Sequence, residues 1–281
     1  GVASNPFDAV HKLNTESLTT TWATATALTP SRFGAASVVV NGRAYVMGGY
    51  SNGSTKWVTA FDGAQWTSQT ELLEPLNWPA AATIGENIYV AGGLPGPTDG
   101  IWSATVNTDG TLSAWQRQAT PLPRRLVTRM AALGNCLYVV GGKDWDNVVR
   151  TEIYGVVVNN GTIPSWGNPI AHLPVPLALH AVAIDQNTLY VLGGETTGGA
   201  LNDEVFAYTI NPQTCALTPD TALEMTLPGE DEDNAGNRRL AAATRFGELY
   251  VLGGQTEDGY TDQVLKAELP TEPLLTLTKS A

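Results

Sequence analysis

The sequence predicts an all-β fold, a β-propeller of four-stranded antiparallel blades, and three observations lead there. Five segments repeat almost unchanged: RAYVMGG (43–49), NIYVAGG (87–93), CLYVVGG (136–142), TLYVLGG (188–194) and ELYVLGG (248–254). Their second glycines fall at Gly49, Gly93, Gly142, Gly194 and Gly254, so the spacings are 44, 49, 52 and 60 residues. That is the period of a four-stranded blade rather than of a helical solenoid or a leucine-rich array. No long window carries the 3.6-residue apolar pattern of a helix.

Each repeat carries the same succession of strands. A small, apolar first strand opens it: GAASVVV (34–40), AAATI (80–84), MAAL (130–133), HAVAI (180–184) and LAAAT (240–244). A tight turn follows, such as Asn41-Gly42, Gly134-Asn135 or Gly247-Glu248, where residues that accept positive φ are needed. The x-Tyr-Val-x-Gly-Gly strand is second. After a longer polar loop comes an alternating third strand, as in IWSATVN (101–107), TEIYGVVV (151–158) and EVFAYTI (204–210). A fourth strand is marked by Trp66, Trp115 or Trp166 and exits near Pro75, Pro123, Pro174 or Pro228. Inner strands crowd the axis and need Ala, Gly and Ser, whereas Trp fills the widening gap between outer strands. Gly-Gly lets the backbone turn with positive φ close against the adjacent blade.

These residues resemble the kelch-repeat family. The resemblance rests on the five Tyr-Val-x-Gly-Gly segments, the outer Trp residues and the arginines leading into the first strand, Arg32, Arg125 and Arg238, and it covers nearly the whole chain. The second and fourth repeats lack the leading Arg, and the fourth and fifth lack the outer Trp. The fold implied is a kelch-type propeller forming a single domain over 1–281. It divides into a half-blade at 1–30 and repeats at about 31–78, 79–127, 128–178, 179–237 and 238–281. Residues 7–28 align with third and fourth strands, Trp22 matching Trp66, and residues 263–278 read likewise. Six blades are therefore expected, with the missing inner hairpin lying outside this segment or supplied by another chain. Five blades with an N-terminal extension is the alternative, because an open ring exposes unpaired edges.

Composition narrows the function. With 43% apolar and 15% charged residues, the chain is not disordered. No stretch approaches a membrane span. The balance of 15 basic to 27 acidic residues gives a net charge of −12, which repels phosphate backbones and argues against nucleic acid. Cys136 and Cys215 permit one disulfide at most and are read as two separate, partly buried thiols. His11, His172 and His180 are too scattered to pair on a metal, and neither a cofactor nor a metal is expected. The opening GVASNPFDAV has neither the charged nor the apolar region of a signal peptide.

In this fold the loops after the second and fourth strands share one face, and function is expected there. The loops after the second strand are YSNGSTK (50–56), LPGPTDG (94–100), KDWDNVVR (143–150), ETTGGALND (195–203) and QTEDGYTD (255–262). That face is expected to gather Arg32, Arg125, Arg238 and Arg239, the aromatic tips Tyr50, Trp145 and Tyr260, and His180 at the channel mouth. Such a set suits an anion or a sugar, since Arg forks grip carboxylates and aromatics stack on rings. The structural alternative pairs each Arg with an inter-blade acid such as Asp99, Asp146, Asp203 or Asp262. The run Glu230-Asp231-Glu232-Asp233 fails the calcium-loop pattern, because Ala235 and Ala242 stand where ligands belong, and reads as a solvated loop.

No G-x-S-x-G is present and neither Cys has a His nearby in sequence, so no catalytic residue is assigned. Among kelch-type enzymes, the copper oxidases need paired His and Tyr ligands that this chain lacks. The sialic-acid mutarotases fit an Arg-lined channel by analogy only. The sequons Asn52-Gly53-Ser54 and Asn160-Gly161-Thr162 are uninformative, and scarce Lys with abundant Thr, Ala and Trp leans toward a secreted, periplasmic or cell-surface protein. The reading is a non-enzymatic module that binds a protein or glycan through its loop-rich face. The alternatives are a carbohydrate-active enzyme of mutarotase type and a structural subunit of a larger assembly.

Overall fold

The computed structural model describes residues 10–13, 22–95, 99–122, 125–228 and 236–269. Blade one is β3 (Ala36–Val40), β4 (Arg43–Met47), β5 (Val58–Phe61) and β6 (Trp66–Ser68), preceded by β1 (Val10–Leu13) and β2 (Trp22–Ala25). Blade two is β7 (Ala80–Ile84), β8 (Asn87–Ala91), β9 (Ile101–Thr105) and β10 (Gln116–Arg117). Blade three is β11 (Arg129–Leu133), β12 (Cys136–Val140), β13 (Glu152–Val157) and β14 (Ala171–His172). Blade four is β15 (Ala181–Asp185), β16 (Thr188–Leu192), β17 (Val205–Ile210) and β18 (Leu217–Asp220). Blade five is β19 (Ala241–Arg245), β20 (Glu248–Thr256) and β21 (Gly259–Glu268). Every sheet is an antiparallel meander in chain order, as expected for propeller blades. The chain forms two compact units, Gly1–Ala178 with Pro212–Ala216 and Leu179–Asn211 with Leu217–Ala281.

The hydrophobic cores lie between consecutive sheets. In the first unit, Tyr45, Met47 and Leu76 pack with Ile88, Val90 and Trp102, and Tyr89 and Ile101 pack with Met130, Leu137 and Val139. In the second unit, Ala181, Ala183 and Tyr190 pack with Leu240, Leu249 and Val251. The small residues of the first strands let neighbouring sheets converge, as the sequence suggests.

Gly-Gly closes the seams between blades. The second glycine donates its N–H to the next connection: Gly49 to Leu76 O (2.7 Å), Gly142 to Leu177 O (2.8 Å) and Gly194 to Asn237 O (2.7 Å). The first glycine lies flat against the same carbonyl, so a Cβ at Gly48 would stand 2.5 Å from Leu76 O and one at Gly193 2.3 Å from Asn237 O. A second positive-φ position accompanies each pair. Gly34, Trp78, Val127, Leu179 and Arg239 adopt φ of 62, 59, 45, 56 and 60°, each fifteen residues before the second glycine of its own blade. The left-handed turn swings the chain onto the innermost strand and aligns Trp78 N–H with Gly34 O (2.7 Å) and Arg239 N–H with Leu179 O (2.8 Å).

The signature tyrosines reach across the same seams. Tyr45 Oη donates to Gly110 O (2.9 Å) and Tyr89 Oη to Gly161 O (3.0 Å), both in the turn between third and fourth strands of the following blade. Tyr138 Oη is buried and has no partner among the described residues. Losing a buried hydrogen bond costs about 1–2 kcal/mol, whereas removing an unpaired hydroxyl does not. Urea unfolding is therefore expected to show Tyr89→Phe destabilised by about 1–2 kcal/mol and Tyr138→Phe unchanged or slightly stabilised.

Four expectations need correction. The described residues build five blades rather than six. Among the described residues β1 and β2 pair only with each other, and two strands without an inner hairpin do not make a blade. Cys136 and Cys215 are not separate thiols but form a disulfide, their Cα atoms 5.3 Å apart. Cys215 lies two residues before Leu217 with φ 60°, the position of Gly110 before Leu112 and Gly161 before Ile163. In blade three the fourth strand is Ala171–His172 and Trp166 precedes it, because Pro164 and Pro169 lack the N–H a ladder needs. Finally, 255–262 is a hairpin extension rather than a loop. After a register shift between Leu252 and Gly254, β20 runs on to Thr256, which pairs with Gly259. The run Glu230–Asp233 and the exit Pro123 lie outside the described residues.

Candidate functional site

The leading arginines are inward-facing seam residues. Arg32 is 4% exposed; it donates from Nη1 to Pro30 O (2.8 Å) and from Nη2 to Val46 O (3.1 Å) and Thr59 Oγ1 (2.7 Å). Burial pushes its guanidinium down to about 10, since desolvation disfavours the charged form. Arg125 is buried in the same way, with Nη2 3.4 Å from Glu152 Oε2 and the guanidinium 5.6 Å from the centre of the Tyr154 ring. Both occupy the position two before the left-handed residue of their blade. Arg238 does not. The bridges Phe33↔Tyr50, Asn77↔Leu94, Leu126↔Lys143 and Arg238↔Gln255 place Arg238 in register with Phe33, and Asn237 takes the position of the leading Arg.

The acids that meet these arginines are Glu152 and Glu195. Arg238 Nη1 lies 2.7 Å from Glu195 Oε2, joining blade five to the loop after β16. Asp99 instead pairs with Arg117 at 2.7 Å on the surface. Arg239 donates to Tyr260 Oη at 3.2 Å, and His180 is completely buried at the start of the first strand of blade four. In the first unit, Arg32 and Arg125 are consumed inside blades. In the second, Arg238, Arg239, Glu195 and Tyr260 form two local pairs.

The exposed aromatics remain. Tyr50 packs on Phe33 (5.3 Å between centroids), and Phe33 meets Trp78 edge-on at 6.4 Å. Phe33 and Tyr50 are both exposed, and they lie at the ends of blade one from which the long loop leaves. Trp145 is 53% exposed at the tip of the loop after β12. That loop is held by Asp144, whose Oδ1 accepts from the N–H groups of Asp146 and Val148 (3.0 Å each) and whose Oδ2 binds Arg150. Burial alone would raise the Asp144 carboxyl, but Arg150 and these N–H groups outweigh it and hold it below the usual range. Tyr260, 66% exposed, tops the β20–β21 hairpin. Sequence reasoning found Tyr50, Trp145 and Tyr260 but missed Phe33 and Trp78, which flank the first-strand segments and carried no repeated signature.

Comparison with known proteins accounts for this geometry. A family model described as the Kelch motif matches residues 31–72, from the leading Arg32 through the end of blade one. Residues 31–72 are a kelch repeat. The chain is 27% identical over 161 residues to beta-scruin of Limulus polyphemus, covering 55% of this chain and 17% of that protein. It is 29% identical over 140 residues to Kelch repeat and BTB domain-containing protein 12 of Danio rerio, covering 44% of this chain and 19% of that one. An N-(sulfonatooxy)prop-2-enimidothioate sulfolyase of Thlaspi arvense is 29% identical over 192 residues, with 62% and 50% covered. The chain thus spans half or less of the length of each. Among the described residues no helix is long and apolar enough to cross a membrane.

Proposed function

We propose that this chain is a non-enzymatic kelch module that engages a protein partner through the loops after its second strands. The observation that carries the reading is the contrast between consumed charge and free aromatic surface. Arg32 and Arg125 spend their guanidinium groups inside blades, whereas Phe33, Tyr50, Trp145 and Tyr260 stand exposed on loop ends. Aromatic side chains of that kind dominate binding energy at interfaces, each worth about 2 kcal/mol or more when truncated. The same burial weighs against an Arg-lined sugar channel, because the guanidinium groups of Arg32 and Arg125 are withdrawn from solvent.

The disulfide supports an oxidising compartment, secreted, periplasmic or at the cell surface. The N-terminal pair supports the alternative of five blades with an N-terminal extension, held against blade one. Thr26 Oγ1 donates to Ala64 O and Trp66 Nε1 to Thr26 O, as Thr70 Oγ1 donates to Leu112 O and Trp115 Nε1 to Thr70 O across the next seam. β2 therefore meets blade one as β6 meets blade two. The single domain over 1–281 belongs to the same reading.

The test is titration of an identified partner, captured on the immobilised chain, against Phe33→Ala and Trp145→Ala. Each is expected to weaken binding about tenfold or more, mostly through faster dissociation. Unchanged affinity in both, or capture of glycans alone on a glycan array, removes the protein-binding reading.

A further inference from the structure

The loop after β12 is built to hold its tip still. Between Gly142 and Gly155 the sequence carries no glycine, whereas the matching loop of blade one contains Gly53 and that of blade four Gly198 and Gly199. Its stem is bridged twice. Lys143 exchanges backbone hydrogen bonds with Leu126 (2.7 and 2.8 Å) and stands across a second bridge from Val149. Above the stem the chain turns on one residue. Asp144 Oδ1 accepts from the N–H groups of Asp146 and Val148, Oδ2 binds Arg150, and the Asp144 carbonyl accepts from Asn147 N–H (3.1 Å). The Asp144 N–H in turn donates to Val148 O (3.0 Å), and Asn147 completes the turn with φ 61°.

This frame presents two apolar side chains and one charge. Trp145, Asp146, Asn147 and Val148 are all exposed, whereas the next residue, Val149, is buried. Trp145 and Val148 therefore stand in water on a backbone whose hydrogen bonds are already made. A tip of that kind loses little freedom on docking, because folding has already ordered it. The carboxylates of the loop differ. Asp144 is neutralised by Arg150, whereas Asp146 gives only its N–H to the turn and its carboxylate accepts no hydrogen bond among the described residues. That free charge, on a chain of net charge −12, favours a positively charged opposing surface.

We propose that Trp145 enters an apolar pocket of the partner protein whose rim carries Lys or Arg to meet Asp146, with Val148 packing at the pocket edge. The inference rests on the protein-binding reading for the existence of the partner, and adds which loop leads and what it meets. Tryptophan is the side chain best suited to such an anchor, since it brings large apolar area at few rotatable bonds. Asp146 acts at the rim, where a charge governs association rate and partner choice. Asp144 is a positioning residue that holds the indole in place.

The test uses the whole chain and a probe that copies the pocket, an amino-β-cyclodextrin, whose apolar cup is rimmed by ammonium groups. NMR of the Trp145 indole N–H, assigned by its loss in Trp145→Phe, is expected to show saturating shifts. Affinity should be about fivefold higher than for neutral β-cyclodextrin, a preference that shrinks in high salt and reverses in Asp146→Lys. Asp144→Ala, which frees the loop but keeps the indole, should bind both cups about fivefold more weakly. Asp144→Asn, whose amide oxygen still accepts the two N–H groups, should recover most of that loss for the neutral cup. No shift at Trp145, equal affinity for the two cups, or parent affinity in Asp144→Ala would overturn the proposal. So would equal shifts with a linear malto-oligosaccharide, the same sugar without the cavity, which would assign the tip to sugar stacking. The probe requires no partner, so its failure leaves partner binding through Phe33 standing, and loss of partner binding leaves the probe titration intact.

Discussion

Replacing Gly48 by alanine is expected to destabilise the fold by about 4 kcal/mol, lowering Tm by roughly 10 °C. Three contributions add. Gly48 has φ +65°, where an L-residue with a Cβ loses about 1–2 kcal/mol. The new methyl would stand 2.5 Å from Leu76 O, a backbone atom rather than a flexible side-chain end. That carbonyl cannot retreat freely, because it accepts the Gly49 N–H at 2.7 Å, and moving it forfeits about 1 kcal/mol more. Gly42 is the control. It has φ +74° but nothing within 4 Å of a Cβ, so Gly42→Ala is expected to cost only about 1–2 kcal/mol. Thermal unfolding of the two variants side by side checks this. Equal losses would mean that Gly-Gly serves the turn alone and not the seam.

That contrast marks how far the sequence could be read. The five x-Tyr-Val-x-Gly-Gly strands and their first-strand partners were legible because the repeat averages over five copies, and each copy obeys the same packing. Whatever broke the repeat was not. Arg238 and Arg239 both precede a small-residue strand, and only the left-handed φ at Arg239 shows that Arg238 stands with Phe33 rather than with Arg32. Without that register, Asn237 is an ordinary loop residue. The left-handed position itself is occupied by Gly, Trp, Val, Leu and Arg, so no residue type announces it. The burial of Arg32 and Arg125 was equally hidden, because a charged residue at the edge of a loop reads as surface until its carbonyl acceptors are seen. The exposed tips were the accessible part: Tyr50, Trp145 and Tyr260 follow simply from which loops are long.

Reduction of the Cys136–Cys215 disulfide is expected to remove about 4 kcal/mol, because the bond closes a loop across a sequence separation of 79 residues. The signal for it lay in the turn. Gly110 and Gly161 supply the positive φ in the corresponding turns and accept the hydroxyls of Tyr45 and Tyr89. At Cys215 a side chain holds φ 60°, and Tyr138, the matching tyrosine, has no partner among the described residues. A covalent bond thus stands where a hydrogen bond stands elsewhere, tying β12 to the turn Pro212–Ala216. Thermal unfolding with and without reductant should differ by roughly 10 °C, with no difference in a Cys136→Ser, Cys215→Ser double variant. Combining Cys136→Ser with Cys215→Gly instead should recover about 1–2 kcal/mol, since glycine carries no left-handed strain in that turn. Identical stability of the Ser and Gly variants would place the whole effect in the covalent link and none in the turn. An unchanged Tm on reduction would show that the bond contributes nothing, and with it would fall the support for an oxidising compartment.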